Sequence, residues 1–148
     1  MTLSTPSEDT VTAWARLIRA QRIALAMVEE RLKAAGQPPL EWYDVLLELD
    51  RAGPLRPRDL QARLLLAQSN LSRLLDRMER AGLLSRTSCS DDGRGLLVRI
   101  SPAGRATRRK MWPVYAASIQ EAIGNRLRAQ EVLELARLLK PLAELPEG

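Results

Sequence analysis

The chain has 148 residues, 45% of them hydrophobic, and no apolar run of about 18 residues, so it suits one domain with a buried core and excludes a membrane-spanning helix. It has no histidine and one cysteine, Cys89, which disfavours catalysis and a metal centre, excludes an internal disulfide and fits a reducing cytoplasm. The net charge of +5 is uneven, because residues 51–110 carry 14 lysines and arginines against 5 aspartates and glutamates, a balance that favours nucleic acid as partner.

The first predicted helix covers residues 10–35 and ends at the Gly-Gln-Pro-Pro segment 36–39. Apolar side chains recur along it at three- and four-residue spacing. This apolar seam consists of Val11, Trp14, Ile18, Leu25, Val28 and Leu32. A seam of this length indicates a helix that packs lengthwise on other helices.

Two shorter helices are predicted next, Leu40–Arg51 and Arg58–Leu64. Gly53-Pro54 separates them, and Pro57 opens the second one, where a missing backbone N–H costs least. A tight turn then leads to a further helix, so residues 57–82 are predicted to form a helix-turn-helix unit.

The helix after that turn has two faces of opposite character. Ser69 is the predicted N-cap, and Ala81-Gly82 ends the helix. The apolar face, at spacings i, i+3, i+4 and i+7, consists of Leu71, Leu74, Leu75 and Met78. The opposite face carries Asn70, Ser72, Arg73, Asp76, Arg77, Glu79 and Arg80.

A basic hairpin is predicted to follow, with strands at residues 83–86 and 96–100 and a turn at residues 90–95. Its turn carries an arginine, and the preceding helix has amide, hydroxyl and guanidinium groups near its start. These groups suit contacts to both grooves of DNA. The sequence therefore predicts a DNA-binding protein.

Ser101-Pro102 predicts the start of a helix that runs toward Ile123. A last helix before Pro146 has an apolar seam of Val132, Leu135, Leu139 and Leu142. The terminal helices are more apolar than so small a central unit can bury, which predicts a symmetric dimer that buries the seams between two copies. The alternative is that these helices pack only within one chain.

The order of these elements resembles the MarR family of bacterial transcription regulators. The residues that carry the resemblance are Gln68–Glu79, Ala81–Leu83, the hairpin turn Asp91–Gly95, and Ile100–Gly104. The resemblance covers nearly the whole chain.

The resemblance implies a mainly α fold, with residues 1–148 forming a single MarR-like domain. Residues 40–101 would form a winged helix-turn-helix lobe, and residues 10–36 and 102–145 a helical dimerisation region. It also implies a cytoplasmic homodimer that binds a pseudo-palindromic operator on double-stranded DNA, most often as a repressor. Many such regulators release DNA when a small aromatic or lipophilic molecule binds, and none of this requires a cofactor.

The predicted base contacts lie at the start of the recognition helix, at Ser69, Asn70, Ser72 and Arg73. Arg73 is the candidate for guanine, and Asn70 is the candidate for adenine or phosphate. Arg77, one turn on, is predicted to bind phosphate or pack against the wing, unless it is a solvated surface arginine.

Further DNA contacts are predicted on both sides of this helix. Gln61 and Arg63 on the preceding helix, and Arg86 on the first wing strand, are candidates for phosphate. Arg94 at the wing tip is predicted to enter the minor groove. Asp92 is expected to orient Arg94 or Arg77, as the resemblance implies.

An effector site is predicted where the dimerisation helices meet the lobe, again because of the resemblance. Its candidate residues are Trp14, Arg16, Ile18, Trp42, Tyr43, Met111, Trp112 and Tyr115. An arginine among aromatic rings would suit an aromatic carboxylate. The alternative is that these side chains are simply core residues.

Two other functions stay open at this point. A sequence-independent architectural DNA-binding protein would bind with steep salt dependence and little discrimination. A small enzyme could use the paired carboxylates Asp91 and Asp92, although adjacent residues in a glycine-flanked turn rarely converge on a substrate. Cys89, beside Arg86 and Arg94, is either an incidental strand residue or a redox-sensitive thiol.

Overall fold

The computed structural model describes residues 2–88 and 95–145. The elements in chain order are α1 (Glu8–Ala34), α2 (Leu40–Ala52), α3 (Pro57–Arg63), α4 (Leu71–Arg80), β1 (Leu84–Ser88), β2 (Leu96–Ile100), α5 (Pro102–Ile119) and α6 (Ala129–Ala143). A π-helical turn, Gln120–Gly124, follows α5 directly. The predicted mainly α fold is confirmed. Cys89 and residues 90–94 of the predicted hairpin turn lie outside the described residues.

The chain divides into two compact units. The first unit contains the residues up to Glu30 together with those from Ala116 onward, and the second is Arg31–Tyr115. These boundaries differ from those expected for a dimerisation region and a lobe, because residues 31–36 and 102–115 belong to the second unit. The dimerising role of the terminal helices stays a prediction.

The second unit encloses an apolar core to which α4 contributes its whole apolar face. Leu71, Leu74, Leu75 and Met78 are all buried there, as their helical spacing predicts. Their neighbours in the core are Val45, Leu46, Leu49, Leu60, Leu83, Leu84 and Val98. Because one face of α4 is buried in this way, the opposite face is directed to solvent.

The hairpin is a two-stranded antiparallel sheet in which Leu84 pairs with Ile100 and Arg86 with Val98. Leu55, in the segment between α2 and α3, adds a bridge to it: its N–H donates to Val98 O at 3.1 Å, and it accepts from Val98 N at 2.7 Å. The sequence did not predict this bridge, which ties the hairpin to the start of the helix-turn-helix.

In the first unit, much of the apolar seam of α1 is exposed. Val11, Trp14 and Ile18 are exposed, and α6 has no buried residue at all. Three leucines of α6, Leu133, Leu138 and Leu142, are also exposed. Within the described ranges, no helix combines the length and hydropathy required to cross a bilayer.

Candidate nucleic-acid interface

The exposed face of α4 begins with polar and basic side chains. Ser69, Asn70, Ser72, Arg73 and Arg77 are all exposed. The sequence expectation that these groups share a surface at the start of one helix therefore agrees with the geometry. Their contact with DNA stays a prediction.

The N-cap of α4 is Asn70, and the assignment of Ser69 as the cap is wrong. The side-chain oxygen of Asn70 accepts a 3.0 Å hydrogen bond from the backbone N–H of Arg73. The helix starts at Leu71, so Ser69 lies one residue too early to reach that N–H group. Both residue types cap helices well, and the amino-acid sequence alone could not distinguish them.

The end of α4 agrees with the sequence interpretation. Gly82 has a positive φ of 79°, and Leu83 N donates to Met78 O at 3.1 Å across the helix end. Glycine tolerates this left-handed conformation, which closes the last turn of the helix. The chain can then enter β1 at once.

Asp44 holds the turn between α3 and α4. This residue of α2 is 6% exposed, and its two carboxylate oxygens accept hydrogen bonds from Leu65 N at 3.1 Å and Leu66 N at 2.7 Å. Two turn amides that no helix could satisfy are thereby paired. The only signal in the sequence was an aspartate set within the apolar stretch of a predicted helix.

Arg86 forms hydrogen bonds with residues of α4, the predicted recognition helix. Its guanidinium donates to Asp76 and to Glu79, and its backbone N–H donates to Glu79 Oε2 at 2.8 Å. These contacts raise the pKa of Arg86, chiefly through the hydrogen bond to Asp76, and lower that of Glu79, chiefly through the backbone hydrogen bond. The interpretation of Arg86 as a phosphate contact stays a prediction, and its described partners are carboxylates.

The alternation of β1 explains why Arg86 lies where it does. Leu84 and Arg86 are two residues apart and share one face of the strand, and Arg86 is opposite the buried Val98. That face is turned toward α4. The period-two pattern of the strand was the signal that could have placed Arg86 beside the helix.

Arg77 pairs with a residue of α2. Its guanidinium lies 3.6 Å from Glu41 Oε1, and both side chains are partly exposed, so solvent screens the pair. Gln61 and Arg63 are exposed on α3, as a backbone-contacting surface requires. Asp92 and Arg94, predicted at the wing tip, lie outside the described residues.

Helix α5 starts beside Gly82 and Leu83, which connect α4 to β1. Ser101 Oγ donates to Gly82 O at 2.6 Å and accepts from Gly104 N at 3.0 Å, which confirms Ser101 as the cap. A Cβ on Gly104 would overlap the carbonyl oxygen of Leu83. Only glycine therefore permits this approach of the two backbones.

An ion-pair group joins α2 to α5. Asp50 accepts from Arg108 Nε at 2.8 Å and from Arg105 Nε at 3.4 Å. Partial burial alone would raise the pKa of Asp50, but the hydrogen bonds and charges of Arg108 and Arg105 lower it overall. Partial burial alone would lower the pKa of Arg108, but hydrogen bonding to Asp50 and then to Tyr43 raises it overall.

Three of the predicted effector residues form an aromatic cluster, which we define as Tyr43, Trp112 and Tyr115. The ring of Tyr43 stacks on Trp112 with centroids 6.1 Å apart, and Tyr115 meets both rings edge-on at 5.1 and 5.8 Å. Trp112 is 47% exposed, whereas Tyr43 is buried.

The other predicted effector residues are placed differently. Met111 is fully buried, and Trp42 packs against the core of the second unit. Trp14, Arg16 and Ile18 belong to the first unit, where each is exposed. The described parts of the chain contain no group of three or more acidic, cysteine or histidine side chains that could hold a metal ion.

Comparisons with known proteins found a family model and a relative that match this chain. A family model described as the MarR family matches residues 37–95. Over 100 residues the chain is 30% identical to the multiple antibiotic resistance protein MarR of Salmonella typhimurium, which covers 68% of this chain and 69% of that protein.

Two solved structures are similar over almost the whole chain. AbsC, a MarR family transcriptional regulator from Streptomyces coelicolor, is 28% identical with a TM-score of 0.81 and covers 95% of this chain and 96% of its own. A cysteine-to-serine mutant of MarR from E. coli, complexed with operator DNA, is 26% identical with a TM-score of 0.78. That match covers 96% of this chain and 100% of the E. coli chain.

Proposed function

The chain belongs to the MarR family of transcriptional regulators, and we propose on this premise that it is a sequence-specific DNA-binding regulator that acts as a homodimer. We further propose that it is a cytoplasmic repressor and that a small aromatic or lipophilic ligand releases it from its operator. The family consists of transcription regulators rather than enzymes, so no catalytic role is assigned.

The exposed start of α4 carries the proposal. Ser72 and Arg73 are directed to solvent there, while Leu71 and Leu74 anchor the opposite face. Among the described residues, Arg73 has no ion-pair partner, so its guanidinium is available to donate two hydrogen bonds to guanine O6 and N7. We assign Arg73 to a base contact in the major groove.

Contacts to the phosphate backbone are proposed on both sides of α4. The first helix of a helix-turn-helix crosses the backbone, and Gln61 and Arg63 are exposed on that helix. Arg94 is retained as a minor-groove contact on the strength of the sequence alone. Arg86 has two carboxylate partners, so we assign it to fixing the wing and not to a primary phosphate contact.

The exposed apolar side chains of α1 and α6 support a homodimer. Trp14 is 65% exposed, and Leu138 and Leu142 are exposed on a helix without a buried residue. Apolar surface of this extent is unusual on a soluble monomer, and a second copy of the chain could cover it. Sedimentation at twice the 16.5 kDa chain mass is expected, and a monomer at micromolar concentration would contradict the proposal.

The aromatic cluster supports a ligand with an aromatic ring. Trp112 and Tyr115 leave ring surface accessible, and the guanidinium of Arg108 lies beside Tyr43. Aromatic faces next to an arginine suit an aromatic carboxylate. Benzoate is the simplest probe, and we expect it to release operator DNA from the wild type but not from Trp112→Ala.

Selection of bound DNA from a random pool tests the function directly. We expect a two-fold symmetric consensus whose half-sites are separated by about 10–10.5 base pairs, since each lobe of a dimer reads one face of the duplex. Binding that depends steeply on salt but yields no consensus would instead indicate the architectural alternative.

A further inference from the structure

The carboxylate of Asp44 is a polar link between α2 and the helix-turn-helix. It is buried, and both of its oxygens accept backbone N–H groups of the turn, from Leu65 and Leu66. That turn lies between the end of α3 at Arg63 and the start of α4 at Leu71. The position of Asp44 therefore determines where the chain enters the recognition helix.

The aromatic cluster begins at the preceding residue of the same helix. Tyr43 is 4% exposed and contacts both Trp112 and Tyr115 of α5. The carboxylate of Asp44 also acts on this cluster: burial, followed by the negative charge of Asp44, raises the pKa of Tyr115. Two consecutive residues of α2 thus contact the two sites: Tyr43 belongs to the cluster, and Asp44 binds the turn.

Consecutive buried residues of one helix cannot move independently. A helical backbone is held by its own hydrogen bonds, and a close-packed interior transmits displacement instead of absorbing it. A ligand that enters between Tyr43 and Trp112 must push α2 and α5 apart or rotate the Tyr43 ring. The hydrogen bonds of Asp44, at 2.7 and 3.1 Å, leave little room for such a shift before they weaken.

We propose that Asp44 is a positioning residue through which the aromatic cluster controls the helix-turn-helix turn and hence the recognition helix. Occupation of the cluster loosens the bonds to Leu65 and Leu66 and lowers the population of the DNA-competent arrangement. The inference rests on the proposed function for its effect on DNA, whereas the mechanical link is a property of the free protein and can be tested without DNA.

Amide hydrogen exchange on the free full-length protein tests the link. Trp112→Ala opens the cluster while removing a side chain that is already 47% exposed. We expect exchange of the Leu65 and Leu66 amides to accelerate by about 5-fold or more, the lower end of typical coupling between sites. The core amide of Leu75 should keep its protection.

Trp112→Phe is the matched control, because it retains an aromatic ring against Tyr43, and it should restore slow exchange at the turn. Unchanged exchange at Leu65 and Leu66 in Trp112→Ala would overturn the proposal. Acceleration at Leu75 of the same size would also overturn it, because the variant would then loosen the whole unit and not the turn.

Asp44→Asn tests the consequence for DNA. The substitution replaces one acceptor with an N–H donor facing a backbone N–H, so one turn amide loses its partner. We expect the affinity ratio between the selected operator and random DNA to fall by about 5-fold or more. Affinity for random DNA depends on surface charge and should be retained.

Asp50→Asn makes the same charge change on the same helix, but its partners are Arg105 and Arg108 of α5. Its affinity ratio should equal that of the wild type, and an unchanged ratio in Asp44→Asn would overturn the positioning role. If Asp44→Asn does not fold, the hydrogen-exchange measurement on Trp112→Ala tests the proposal by itself. If the wild type shows no operator preference, the proposed function fails while the exchange result still stands.

Discussion

The backbone N–H of Arg86 donates a 2.8 Å hydrogen bond to Oε2 of Glu79, and the Arg86 guanidinium lies 3.0 Å from Oε1 of the same carboxylate. Two hydrogen bonds between these residues thereby join α4 to β1. Because α4 carries the proposed base contacts and β1 leads into the predicted wing, these hydrogen bonds connect the two elements that we propose approach DNA.

Arg86→Met should weaken operator binding and lower the melting temperature by a few degrees. The substitution keeps much of the side-chain volume but leaves Asp76 and Glu79 repelling each other at the edge of α4. Arg80→Met, which removes the same charge from an exposed position of α4, is the control. Fluorescence anisotropy with operator DNA measures both variants, and equal losses would show that only charge matters.

Glu79→Gln should reduce the loss of stability in acid. Hydrogen bonds from Arg86 hold the pKa of Glu79 below its ordinary value of 4.5. The folded state thus favours the carboxylate, whose stabilising contribution is present above the unfolded pKa and is lost as pH falls through the lower folded pKa. Melting temperatures should converge for wild type and variant as the pH falls from above 4.5 through the lowered folded pKa. A constant difference over that range would contradict this assignment.

Asn70→Ala should destabilise the protein by about 0.5–2 kcal/mol, the usual effect of losing an N-cap. Ser69→Ala, one residue earlier, should change the free energy of unfolding much less, because the described cap bond belongs to Asn70. Urea denaturation without DNA measures both. The reverse order of effects would restore Ser69 as the cap.

Gly104→Ala should cost about 1–3 kcal/mol or more, as overpacking does. The added methyl group would overlap the Leu83 carbonyl and lie 2.8 Å from Cγ1 of Ile100. Gly124→Ala is the control, because its close neighbour is the flexible side chain of Gln120, which can turn away. Similar denaturation midpoints for the two variants would show that the backbone at the start of α5 shifts easily to accommodate the methyl group.

Arg73→Ala should weaken operator binding by about 1–3 kcal/mol and relax specificity at one base pair of each half-site. Arg63→Ala, on α3, should instead weaken binding to all sequences and reduce the salt dependence. Repeating the random-pool selection with each variant separates the two outcomes. An unchanged consensus for Arg73→Ala would remove it from the base contacts.

Local pattern explains what could be predicted about the site. The two-faced α4 follows from the spacing of Leu71, Leu74, Leu75 and Met78, and the positions of Gly82 and Ser101 follow from the residues that end and start helices. Local pattern did not select the correct N-cap of α4. Ser69 and Asn70 are both suitable caps, and only the backbone dihedral angles select one of them.

The sequence by itself determined the order of the elements, the buried face of α4 and the family, because these depend on residues close together in the chain. Only the tertiary structure decided the partners of Arg86, the bridge of Leu55 to Val98 and the hydrogen bonds of Asp44. The Asp44 carboxylate meets amides 21 and 22 residues away. Hydrophobic periodicity is a property of a single helix or strand, whereas a hydrogen bond over that separation exists only once packing has brought its two groups together.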